Sequence, residues 1–169
     1  MRPKIIVKME FNVIGMSCNA SLKSNKIPTL WSEFMSRLGE IKNRIYPNST
    51  LITFGVCEHS PDCPTSGSSL DTEFHYLACV EVSSLDYVPQ GMAGRTIPST
   101  RYAVFTHKGP LDRLGATYKY IYGTWLPKSG FQLAEADDFE VYDERFKGRY
   151  NENSQIDIYI PLKVAITPI

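Results

Sequence analysis

The chain has 169 residues and a formal net charge of zero, with 18 basic and 18 acidic side chains and 43% hydrophobic residues. That length fits one domain, or two small halves sharing a core. Lysine and arginine are scattered rather than gathered in a stripe, which argues against direct nucleic-acid binding. No run approaches the roughly 20 apolar residues that span a bilayer, and the first ten residues are too short in apolar length for a secretory signal, so a cytoplasmic protein is expected.

The first strand is expected from about Ile5 to Met16, interrupted near Glu10, and 17–28 read as polar and turn-rich. A helix then starts at Pro28-Thr29, with Thr29 as a cap. Leu30, Phe34, Leu38, Ile41 and Ile45 recur at helical spacing, with Trp31 beside the stripe, and Pro47-Asn48 ends it. Leu51 to Val56 alternates as a short strand, 57–71 is a loop, and Glu73 to Val82 is the next strand. Residues 83–99, with Pro89, Gly91, Gly94 and Pro98, read as a connection. Tyr102 to His107 opens a second series of strand, helix (Leu111 to Trp125), short strand (Phe139 to Tyr142) and alternating strand (Gln155 to Leu162).

The order of elements therefore repeats. Two β-α-β-β halves, about 1–85 and 99–169 with a linker at about 86–98, predict an α+β domain with one antiparallel sheet, two main helices and a central cleft. Such a junction is a natural ligand site.

Asp138-Phe139-Glu140-Val141-Tyr142 carries the chemistry. In a strand Glu140 and Tyr142 share one face, while Phe139 and Val141 point the other way, toward the helices or core. Tyr159 on the next strand is expected to share the face of Glu140. A carboxylate among phenol rings attracts a cation both by charge and through the ring faces. The bland alternative is a solvent-facing glutamate on an edge strand. Trp31 and Trp125, one on each helix, either fill the core or wall the groove, and Tyr118, Tyr120 and Tyr122 read as core and surface filler. Cys57-Glu-His59 with Cys63 offers three metal ligands at best, below the four of a zinc site. His107 precedes a Lys-Gly-Pro turn that lacks the spacing of a phosphate loop. No metal, cofactor or catalytic set is expected.

Leu30-Trp31-Ser-Glu-Phe34, Tyr102 to Pro110, Ile121 to Pro127, Asp138 to Tyr142 and Ile158 to Leu162 together resemble the GyrI-like, or effector-binding, domain family. The resemblance implies two SHS2-type β-α-β-β modules with pseudo-two-fold symmetry and the sensing of amphipathic cationic compounds. It implies that Glu140 pairs with the ligand's charge, with Tyr142 and Tyr159 around it and Trp31, Tyr76, Tyr102 and Trp125 as further positions. Activators of this kind carry a helix-turn-helix before the sensor. Here the sensor would begin within about a dozen residues of Met1, so a stand-alone form resembling integron-cassette drug-binding proteins is expected. The same resemblance leaves two alternatives open: a hydrolase acting on cyclopropane-bearing alkylating compounds, or a protein that interacts with gyrase or a separate regulator.

Overall fold

A computed structural model describes residues 1–21, 23–24, 26–45, 50–59 and 73–164. Within them the strands are β1 (Lys4–Lys8), β2 (Phe11–Ala20), β3 (Thr53–Cys57), β4 (Phe74–Val82), β5 (Ala93–Ile97), β6 (Thr100–Lys108), β7 (Asp138–Tyr142) and β8 (Gln155–Leu162). They form one antiparallel sheet in the order β1-β6-β8-β7-β3-β4-β2-β5. The first half contributes β2-β4-β3, the second β6-β8-β7, and the halves meet at the β3–β7 pair. The two edge strands cross over: β1 precedes the first half yet pairs with β6, and β5 precedes the second half yet pairs with β2.

The sheet is strongly curved. Two strands separate β2 from β7, so in a flat sheet Phe11 and Phe139 would stand about 14 Å apart. Their ring centroids are 5.7 Å apart. The inner face gathers Phe11, Val13, Phe54, Val56, Leu77, Cys79, Ile97, Tyr102 and Phe139 into one core. The helices lie on the outer face. Helix α1 (Ile27–Arg37) seats Leu30 and Phe34 over Ile14, Ala78 and Val80. Helix α2 (Leu114–Tyr120) runs on through a π-helical turn, Ile121–Trp125, into α3 (Leu126–Ser129), and this wall covers Ala103, Phe105, Ile158 and Ile160. Gly130 ends it at φ 75°, the left-handed conformation that glycine adopts without strain. Among the described residues no helix is long and apolar enough to cross a membrane.

Several expected boundaries move. The first strand is two strands, and the second extends through the polar residues to Ala20. Helix α1 begins at Ile27, with Pro28 in its first turn and no side-chain cap. It ends at Arg37, and a 3-10 turn at Leu38–Glu40 follows, because Gly39 is a poor helix former. Ile41 still enters the same core, but on extended backbone. Ile45 is 38% exposed and its amide bonds the carbonyl of Glu81, so the stripe from Leu38 to Ile45 imitates a helix without being one. The expected linker contains β5, an edge strand whose Gly94 and flanking Gly91, Pro89 and Pro98 read as loop. Pro47 and Cys63 lie outside the described residues.

Candidate functional site: a buried glutamate between the helical walls

Glu140 lies on β7, opposite Gly55 on β3, at the seam of the two halves. The expected orientation is reversed in one respect: the helices lie on the face of Glu140, and Phe139 points into the inner core. Glu140 is only 6% exposed, which removes the solvent-facing alternative. Three tyrosines donate to it. Tyr142 reaches Oε2 at 2.6 Å, Tyr118 on α2 reaches Oε1 at 3.0 Å, and Tyr76 on β4 reaches Oε2 at 3.4 Å. Trp31 on α1 donates its indole N–H to the Tyr76 oxygen at 3.1 Å. Its ring packs against Tyr142 at 5.3 Å.

Gly55 makes this arrangement possible. A Cβ there would stand 2.0 Å from the Tyr76 hydroxyl and 3.1 Å from Glu140 Oε2. The missing side chain lets Tyr76 cross β3 and reach the carboxylate. On the opposite side His107 secures α2. Its Nδ1 lies 2.8 Å from Thr117 Oγ1 and its Nε2 lies 3.1 Å from the carbonyl oxygen of Pro110, so the residue before Tyr118 is tied to β6.

Burial pushes the Glu140 carboxyl above its usual range, while the hydroxyls of Tyr142, Tyr118 and Tyr76 pull it back down. The same burial, and then the charge of Glu140, push those tyrosines well above the ordinary phenol range, so they remain O–H donors. Among the described residues no lysine or arginine forms an ion pair with Glu140. Asp138, two residues earlier on the same face, is also buried, and its Oδ2 has no hydrogen-bond partner. Burial first and the charge of Glu140 second push its carboxyl up to about 7. Among the described residues no group of three potential ligands gathers to hold a metal ion.

The expected site residues divide. Trp31, Tyr76 and Tyr142 join Glu140. Tyr159 does not, because the register sets it beside Phe139, on which it stacks at 4.6 Å. That strand pairing reverses the expected parity. Tyr159 instead lines a cavity of about 200 Å³ with Lys8, Arg44, Ile52 and Val141, away from Glu140. Tyr102 is on the inner face too, 5.2 Å from Phe139. Trp125 packs against Phe105 and Phe131 in the core under α2 and α3. Tyr118 and Asp138 were missed. The i, i+2 alternation that singled out Glu140 carries Asp138 as well, whereas nothing local distinguishes Tyr118 from Tyr120 or Tyr122.

Residues 1–163 match the model of the GyrI-like small-molecule-binding domain. The chain is 35% identical over 162 residues to the transcriptional regulator BrlR of Pseudomonas aeruginosa, covering 96% of this chain and 56% of that one. It therefore spans about half of that relative's length. Among solved structures, SAV2435 bound to tetraphenylphosphonium superposes with a TM-score of 0.69 at 15% identity, over 96% of this chain and 94% of that one. An integron cassette protein of Vibrio cholerae superposes with a TM-score of 0.63 at 16% identity, over 96% of each chain. With a match over nearly its whole length, the chain belongs to the GyrI-like small-molecule-binding domain family.

Proposed function

We propose that this domain captures amphipathic cations between its two helical walls, with Glu140 as the charge partner. One observation carries the reading: a carboxylate at 6% exposure that is held by neutral hydroxyls, with no basic side chain among the described residues paired to it. A buried charge without a counter-charge is costly, and a cation relieves that cost. The rings of Trp31, Tyr76, Tyr118 and Tyr142 surround the carboxyl group and offer π faces and apolar area to a flat or bulky organic ion. Trp31 from α1 reaches the carboxylate through Tyr76, and Tyr118 from α2 reaches it directly, so both helices border the carboxyl group. The bound cation of SAV2435 is a probe of this chemical class. In this reading the domain is the ligand-reading part of a regulatory or drug-capturing protein.

Tetraphenylphosphonium and tetraphenylborate share a shape and differ in charge. Titration of each against the protein, followed by tryptophan fluorescence, is expected to show saturable binding of the cation and none of the anion at the same concentrations. Equal affinity for the two, or no binding of the cation, contradicts the reading.

A further inference from the structure

We infer that Asp138 is a second acidic contact of this site, and that an arriving cation expels the proton Asp138 carries in the free protein. The inference rests on the reading of Glu140 as the cation's partner. Strand alternation puts Asp138, Glu140 and Tyr142 on one face, and the β3–β7 register sets Asp138 opposite Cys57 as it sets Glu140 opposite Gly55. Asp138 is 6% exposed, and its Oδ2 is buried with no hydrogen-bond partner. An orphaned buried oxygen is uncommon in a folded protein and calls for a cause.

Glu140 supplies the contrast. Three tyrosine hydroxyls support its charge, and none supports Oδ2 of Asp138. Two buried carboxyl groups two residues apart on one strand face resist ionising together. The proton therefore resides on Asp138, in keeping with the upward push that burial and Glu140 exert on it. A permanent cation in the cleft attracts both carboxylates and reverses the balance. The cation enters, one proton leaves Asp138 for the buffer, and the net charge of the complex equals that of the free protein.

The other titratable groups near the pair are Cys57 on β3, Tyr76 on β4, His107 on β6, Tyr118 on α2, Tyr142 on β7 and Asp137 just before β7; α1 presents the uncharged Trp31. Asp137 is engaged by Arg95 and by the amide of His59. All of these remain in an Asp138→Asn variant, so any titration of theirs appears in both proteins.

The experiment is calorimetric titration of tetraphenylphosphonium from pH 5.5 to 8, on wild type and Asp138→Asn, in two buffers of different ionisation enthalpy. The ligand has no proton to lose, so any pH dependence belongs to the protein. For wild type the affinity is expected to rise about 30-fold over this range, with close to one proton released at pH 6. For Asp138→Asn the rise shrinks to a fewfold and the release disappears. Binding with the same pH profile in both proteins overturns this inference and leaves the cation reading standing. No binding by wild type at any pH overturns both. Carboxyl-carbon NMR of the wild-type protein needs no variant: the Asp138 signal is expected to titrate near pH 7 alone and to show the ionised form at pH 6 with the cation. A midpoint below pH 5 in the free protein overturns the inference.

Discussion

Replacing Gly55 with valine is expected to destabilise the domain by about 4 kcal/mol, a large share of the roughly 5–15 kcal/mol that holds a domain together. The Cβ alone would stand 2.0 Å from the Tyr76 hydroxyl and 2.8 Å from its Cζ. That ring is 2% exposed and pinned by Trp31, so it has little room to retreat. Overpacking costs about 1–3 kcal/mol. Driving Tyr76 off Glu140 leaves buried polar groups unpaired, at about 1–3 kcal/mol more. Urea unfolding measures the change directly. A loss below about 1 kcal/mol would mean that the seam is looser than described. A cycle with Tyr76→Phe refines the test. Removing the hydroxyl that the new carbon strikes should make Gly55→Ala less harmful than in wild type, whereas additive effects would locate the damage elsewhere.

The second large effect is on the pH dependence of stability. The carboxyl of Asp138 is raised to about 7 in the folded protein, by burial first and then by Glu140, from an ordinary value of 3.8. Between those values the folded state holds a proton that the unfolded chain has released. Stability is therefore greatest below the lower value and falls as pH climbs to about 7, by about 4 kcal/mol for a shift of that size. Glu140 is raised as well and acts in the same direction. Asp143, lowered by its bonds to Arg145, acts in the opposite direction. The difference between wild type and Asp138→Asn isolates the one group. The variant should be more stable than wild type at pH 8 by a few kcal/mol, and the advantage should fade toward pH 4. Parallel unfolding midpoints across that range would show that Asp138 titrates normally.

Much of the fold is legible in the chain itself. The alternation of Ile156, Ile158 and Ile160 locates β8, and the repeated element order matches the sheet's arrangement of β2-β4-β3 beside β7-β8-β6. What escapes is set by pairing between distant segments. Strand β5 lies between loop-type residues, Pro89 and Gly91 before it and Pro98 after it, and exists because β2 offers it an edge. Ile41 and Ile45 continue a helical spacing that Gly39 interrupts.

The site divides the same way. Alternation within β7 is enough to group Glu140 with Tyr142, but the face of Tyr159 depends on the β7–β8 register, which one strand does not encode. Trp31 and Tyr76 arrive through packing of α1 and through the gap at Gly55. The hydroxyl of Tyr118 reaches Glu140 from α2, the helix of the same half, with Thr117 anchored to His107 beside it. Only the assembled sheet brings these groups together.

The most direct measurement is the affinity for tetraphenylphosphonium of wild type against Glu140→Gln. Glutamine keeps the size and one acceptor oxygen, and the tyrosine hydroxyls can turn to meet its amide, so the substitution removes the charge with little change of shape. Losing a buried charge partner worth about 1.5–3 kcal/mol weakens binding by about 10- to 150-fold. Equal affinity in the two folded proteins would contradict the account.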